Sequence, residues 1–171
     1  MTVWPLTPAC SINSRWVPPG NLCLCVASDT CPEGRVPDHD NLLNQDPPSA
    51  ILLGREVLHV DAEAGEVALR YTAREDFANR HGTVQGGFLA AMLDSATGLA
   101  VVAGLPAEMT AVTSRLDVTF IRPAGPGPLL ATARIVRRDD RSADVQGNLT
   151  DEGGIVLATA KAELRILSRR R

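Results

Sequence analysis

From residue 49 to residue 168 the sequence predicts an α+β domain: about six antiparallel strands wrapped around one long helix. Three observations predict it. Phe88, Leu89, Met92, Leu93, Ala96, Leu99 and Ala100 recur at three- and four-residue steps, the spacing of a buried helix face. Two strand-like runs precede this helix and four follow it. The breaks between the later runs are turn sequences: Pro123-Ala124-Gly125-Pro126-Gly127-Pro128, Asp139-Asp140-Arg141-Ser142 and Asp151-Glu152-Gly153-Gly154.

Taken in order, Ile51 to Asp61 and Gly65 to Thr72 are the first two strand-like runs. In the second, Val67, Leu69 and Tyr71 alternate with Ala68 and Arg70, and Glu63-Ala64-Gly65 supplies the turn before it. A polar loop from Asn79 leads into a helix from about Gly86 to Ala103, which Gly104-Leu105-Pro106 stops. The last four runs are Ala111 to Arg122, Leu129 to Arg138, Ala143 to Asp151 and Ile155 to Ile166. Val112, Ser114, Leu116, Val118 and Phe120 should share one face of the first of these. Short turns join all four, so they should pair as antiparallel meanders. One helix cannot cover such a sheet completely. The edges and part of one face call for a second copy of the chain.

Residues 1–48 read differently. They hold eight of the twelve prolines, both tryptophans and all four cysteines, and no hydrophobic period persists. The reading is a disordered extension, or a short one lying on the folded body. It lacks the basic start and long apolar core of a secretory signal. Cys10, Cys23, Cys25 and Cys31 pair as C-x-C with uneven partners, not as the C-x₂₋₄-C of structural zinc sites, so they are read as free thiols with no metal. The net charge is −3. From Ile51 onward acidic and basic residues balance at 15 each, so no clustered basic face marks a nucleic-acid binder. Arg169-Arg170-Arg171 is read as a basic, solvated tail. No apolar run approaches a membrane span. The expected location is the cytoplasm.

Chemistry concentrates at the start of the central helix. Gly86 and Gly87 stand where it begins, and glycine there lets a ligand approach the backbone. The first N–H groups of a helix have no partner within it, and the helix dipole favours negative charge beside them. Asp94 lies inside the apolar run, eight residues past Gly86. An Asp there is either a polar residue bonded locally to Ser95 or Thr97, or a functional carboxylate; the pattern alone leaves both open.

From about Ser49 to Leu167 the chain resembles the hotdog-fold acyl-CoA thioesterases, in particular the branch related to the phenylacetate-pathway thioesterase. The family motif, N-x-x-G-x-x-H-G-G with an acid eight positions after the first glycine of the pair, stands here as Asn79, Gly82, Gln85, Gly86, Gly87 and Asp94. Two further signatures are Phe120-Ile121-Arg122-Pro123-Ala124 at a strand end and the small-residue strand Val156-Leu157-Ala158-Thr159-Ala160. The resemblance implies hydrolysis of an acyl-CoA with no cofactor. Gly86 N–H would polarise the carbonyl, and Asp94 would be nucleophile or general base. It also implies that Thr113 places the water or the acid, that Asn79 contacts the acid or the thioester region, and that Gly82 and Gly87 belong to the substrate loop. One departure stands out: Gln85 replaces the family His. Its amide can donate a hydrogen bond but cannot titrate. His81, four residues earlier, is either a loop residue or a participant.

A helical rise of about 1.5 Å per residue puts Asp94 about 12 Å along the axis from Gly86. Two antiparallel helices can aim both at one carbonyl, so the site should straddle a two-fold interface in a dimer or tetramer. Arg122, Arg137, Arg138 and Arg141, at strand ends and turns, are candidates for the CoA phosphates. Two other readings use the same fold: a hotdog dehydratase or hydratase, which the missing His disfavours, and a protein that binds acyl-CoA as a regulator, which Gln85 permits.

Overall fold

The computed structural model describes residues 46–169; the expected extension up to residue 45, with its four cysteines, lies outside the described residues. The first element, α1, spans Pro48–Leu53. Proline suits a first helical turn, where its missing N–H would be unpaired anyway. Ala50 and Leu53, three residues apart, are buried, while Ile51 and Leu52 are exposed. Gly54 ends the helix at φ 61°. The strand expected over Ile51 to Asp61 is thereby corrected. Its apolar start has no period of 2, and the prolines before it and the glycine after it close it into a helical turn. The first strand, β1, spans only Glu56–Asp61.

β2 (Glu66–Ala73) follows, then a 3-10 turn (Glu75–Phe77) and the central helix α2 (Gly86–Val102). The remaining strands are β3 (Met109–Phe120), β4 (Gly127–Arg138), β5 (Ser142–Thr150) and β6 (Val156–Ser168). All six form one antiparallel sheet in the order β1-β2-β4-β5-β6-β3. With the sheet curled around α2, this is the expected hotdog fold.

The expected run of meanders holds for β4, β5 and β6 but not for β3. β3 pairs with β6 at the sheet edge, giving a Greek-key order. The Pro- and Gly-rich segment after Phe120 is therefore an arch and not a tight turn. It crosses three strand spacings, about 14 Å, and the seven Cα–Cα steps from Phe120 to Gly127 can reach about 23 Å. The arch is pinned along its length. Ile121 and Arg122 N–H both donate to the Leu157 carbonyl, and Val84 N–H donates to the carbonyl of Ala124, which is buried. This last bond joins the arch to the loop before α2.

α2 packs against β2 through β6. Leu89, Met92, Leu93, Ala96, Leu99 and Ala100 are buried, as the period requires. The opposite face carries Gly87, Ala91, Asp94 and Gly98, none of them buried, so a lane of small residues with one carboxylate remains open along the helix. No helix among the described residues is long and apolar enough to cross a membrane.

β3 departs from strict alternation. Its register to β6 shifts between Thr113 and Arg115, leaving Ser114 as a bulge whose hydroxyl donates to the Glu163 carbonyl. Ala111 on one side of the bulge, and Leu116 and Val118 on the other, pack on the core, whereas Val112 and Ser114 are exposed. The extra residue swaps the face on which the alternation falls. Val112 and Ser114 therefore leave the expected face, and Thr113 joins the one toward α2. Arg169, the first residue of the basic tail, is exposed; its N–H donates to the Glu108 carbonyl and its Nε to that of Met109.

Candidate active site

The loop before α2 is built by Asn79. Its Oδ1 accepts the N–H groups of His81 (2.8 Å) and Thr83 (3.4 Å), and its Nδ2 donates to Thr83 Oγ1 at 2.9 Å. Gly82, at φ 75°, closes the turn in a conformation that favours glycine. The loop then turns into the helix under two constraints. Gln85 N–H donates to the Phe77 carbonyl at 2.8 Å, and the Phe77 and Phe88 rings stack at 4.0 Å between centroids. Asn79 thus spends its amide inside the loop, and its action on a ligand would pass through the loop's shape. His81 is exposed and takes part through its backbone N–H.

Gln85 is the N-cap of α2, but its side chain makes no capping bond and is exposed. The N–H groups of Gly86 and Gly87 therefore begin the helix with no acceptor among the described residues. A Cβ at Gly86 would come to 3.1 Å from Phe120 Cζ, so the ring at the end of β3 rests against the bare glycine. A Cβ at Gly87 would meet nothing within 4 Å.

Two turns along α2, Thr113 Oγ1 donates to Asp94 Oδ1 at 2.7 Å. The bulge at Ser114 is what turns Thr113 toward the helix. Asp94 is half-buried, and Thr97 Oγ1 donates to its backbone carbonyl at 3.1 Å. The hydroxyl bond fixes one carboxylate oxygen and leaves the other without a hydrogen bond among the described residues. Thr113→Val keeps the side chain's shape and removes the donor. It should lower kcat about tenfold, since a hydrogen bond to a charged group contributes about 1.5–3 kcal/mol, with a melting temperature close to wild type; steady-state thioester hydrolysis checks it.

The expected residues fall into three groups. Asn79, Gly82, Gln85, Gly86 and Gly87 lie together at the helix start, and Arg122 joins them through the pinned arch. Asp94 and Thr113 form the second group. Arg138 and Arg141 form the third, away from the helix start. Arg138 lies on the register row of Thr113, three strands away, and its Nη2 donates to the Gly104 carbonyl just past the end of α2. Arg141 is exposed in the β4–β5 turn, where Asp139 accepts its N–H. Those bonds, with others from the Ser142 hydroxyl and N–H, hold the Asp139 carboxyl below the usual range. Within one chain Gly86 and Asp94 stay on opposite stretches of the helix, each with its own contact on β3.

Three residues at the site were not legible as site residues: Arg55, Tyr71 and Ser95. Arg55 bonds Asp46 at 2.7 Å and Ser95 Oγ at 3.4 Å. Tyr71, on β2, is fully buried, and burial pushes its phenol up to about 12, with Ser95 and Arg55 opposing the rise and the Asp94 carboxylate adding to it. The phenol therefore stays protonated at any ordinary pH. Tyr71 reads in sequence as one more core-facing residue of an alternating strand, and no spacing links it to Asp94.

Residues 81–158 match the model of the thioesterase superfamily. Among solved structures, the chain is similar to a phenylacetic acid degradation-related protein of Ralstonia eutropha, at 38% identity over 74% of this chain and 96% of that one, with a TM-score of 0.70. The chain belongs to the thioesterase superfamily. On that membership this chain is a thioester hydrolase. Another similar solved structure is a mutant of the phenylacetic acid degradation protein PaaI of Thermus thermophilus, at 32% identity over 70% of this chain and 98% of that one, with a TM-score of 0.62. A protein of Halobacterium salinarum designated an esterase is 42% identical over 82 residues, 45% of this chain; the match spans 54%, about half, of that relative.

Proposed function

We propose that the protein hydrolyses an acyl-CoA to the free acid and CoA, in the cytoplasm, as a dimer or tetramer whose sites are shared between subunits. The observation that carries this reading is the Asp94–Thr113 pair on the open lane of α2, in line with the bare N–H groups at the helix start. The thioester carbonyl oxygen accepts from Gly86 N–H, with the Gln85 amide beside it, so donors stand where negative charge develops. Asp94 of the partner subunit acts on the carbonyl carbon in one of two ways. As general base it takes a proton from water, and the hydroxide adds to the carbonyl. As nucleophile it adds directly, and water later cleaves the anhydride. In the first case the C–S bond breaks and the sulfur takes the proton that Asp94 removed from water; in the second the thiolate leaves as the anhydride forms and takes its proton from solvent. Arg122, Arg138 and Arg141 are the proposed partners of the CoA phosphates, in two groups that a single chain keeps apart.

Two features support the shared site. Small residues at Gly87, Ala91 and Gly98 permit the helix of a second copy to approach closely. β3, a twelve-residue edge strand, exposes Val112 and Phe120, and Ile121 just beyond it is exposed too, an edge that a second copy would cover. The dimer places Gly86 of one helix opposite Asp94 of the other and removes the separation of about 12 Å along one axis.

The second reading, a regulator that binds acyl-CoA, rests on Gln85, which cannot carry a proton. Free CoA released from acetyl-, hexanoyl-, palmitoyl-, phenylacetyl- and benzoyl-CoA separates the two. The proposal expects at least one to be cleaved catalytically. Binding without release from any of them would favour the regulator, and Gln85→His would then be the variant to assay.

A further inference from the structure

We propose that Phe120 limits the bulk at the α-carbon of the acyl group, so that the site takes acyl chains whose α-carbon is unbranched. The proposal rests on the hydrolase reading above and deepens it. Phe120 ends β3 opposite Ala158, in line with the Val118–Ala160 and Leu116–Ala162 pairs. Leu116 and Val118 pack on the core and Ala158 is buried, so Phe120 shares the face of β3 toward α2. Unlike the other two, it reaches past the core and is 54% exposed. What it touches is the helix start. A Cβ at Gly86 would lie 3.1 Å from Phe120 Cζ and 3.3 and 3.5 Å from the two Cε atoms, so the ring turns its outer edge to the glycine. The backbone behind the ring is fixed, because the N–H groups of Ile121 and Arg122 donate to the Leu157 carbonyl at 2.8 and 3.0 Å.

The ring divides the space around the bare N–H groups into a closed side and an open one. It closes the side of Gly86. On the side of Gly87, about 100° round the helix, a Cβ would meet nothing within 4 Å. A thioester whose oxygen accepts from Gly86 N–H carries two substituents on its carbonyl carbon, the sulfur and the α-carbon. The long pantetheine arm on the sulfur needs an open path and leaves on the Gly87 side. The α-carbon then lies against the ring. In the proposed dimer the same gap faces the partner subunit's Asp94, so the carbonyl carbon cannot move away from the ring and still keep its place against the carboxylate. A methylene fits there. A second carbon on it would meet the ring edge, and the pinned backbone keeps the ring from withdrawing.

The test measures CoA release by the full chain from matched pairs that differ at the α-carbon: hexanoyl-, palmitoyl- and phenylacetyl-CoA, each against its 2-methyl homologue, and acetyl- against isobutyryl-CoA. Wild type, Phe120→Leu and Phe120→Ala are compared. The wild type should favour the unbranched member of the pair it cleaves best by about tenfold or more in kcat/KM, the discrimination that one carbon against a close-packed wall supports. Phe120→Ala should cut that preference by about tenfold, chiefly by gaining on the branched member, and Phe120→Leu should fall between. A merely structural role would lower both members together and leave their ratio in place, so the ratio reads the contact itself. A wild type that cleaves both members of a pair equally, or a preference that both variants leave within about twofold of wild type, would overturn this inference alone. So would cleavage confined to benzoyl-CoA, whose α-carbon is an aryl carbon. A wild type that releases no CoA from any of these thioesters would overturn the hydrolase reading, and the role of Phe120 with it.

Discussion

Asp94→Asn is expected to lower kcat for acyl-CoA hydrolysis by about 10²–10⁴-fold, the contribution typical of a positioned acid–base group, while leaving affinity for the acyl-CoA nearly unchanged. The expectation follows from the hydrogen bond at the site. Thr113 donates to Asp94 Oδ1, and an asparagine oxygen in that position still accepts the bond. The side chain keeps its volume and its anchor, and the half-buried site keeps its packing. What disappears is the negative charge and the lone pair that attacks carbon or takes a proton from water. Rapid-quench or steady-state CoA release, paired with a direct binding measurement on the uncleaved thioester, reads the two effects separately. A variant that keeps full turnover would remove Asp94 from the chemistry. One that loses binding in proportion to rate would make it a binding residue.

The helix and the residues proposed for its chemistry were readable in the sequence, the helix from local spacing and the roles from the family resemblance. The steps from Phe88 to Ala100 predicted α2 and its buried face, and Gly86, Gly87 and Asp94 stood out as residues that an ordinary buried helix would not choose. The strands β4 to β6 followed from their turns. What could not be read depended on partners distant in sequence. The Pro-Gly segment after Phe120 has the composition of a turn, and only its bonds to Leu157 and Val84 reveal an arch that carries the chain across the sheet. The bulge at Ser114 inverts the facing of Thr113 and leaves no mark in the alternation, so Thr113 was expected through resemblance, against a strict period that put it on the other face. Ile51-Leu52-Leu53 reads as strand in sequence because three apolar residues in a row carry no period that would mark a helix. Arg55 and Tyr71 come beside Ser95 only through the packing of α1 and β2 on α2, and no spacing records that.

The central claim is a site assembled from two subunits, and mixed subunits test it most directly. Gly86→Val places a branched side chain against the Phe120 ring and over the first N–H of α2, so this variant should be inactive as a pure protein. Asp94→Asn should be inactive for its own reason. In a dimer holding one copy of each, one site has both defects and the other has neither. Equal random mixing makes half of the dimers mixed, each with one of two sites intact, so co-expression should restore about a quarter of wild-type activity. Recovery near that level, from two parents that are each dead, is the predicted result. A co-expressed mixture as inactive as its parents, with mixed dimers demonstrated by differential tags, would contradict a shared site and return both groups to a single chain.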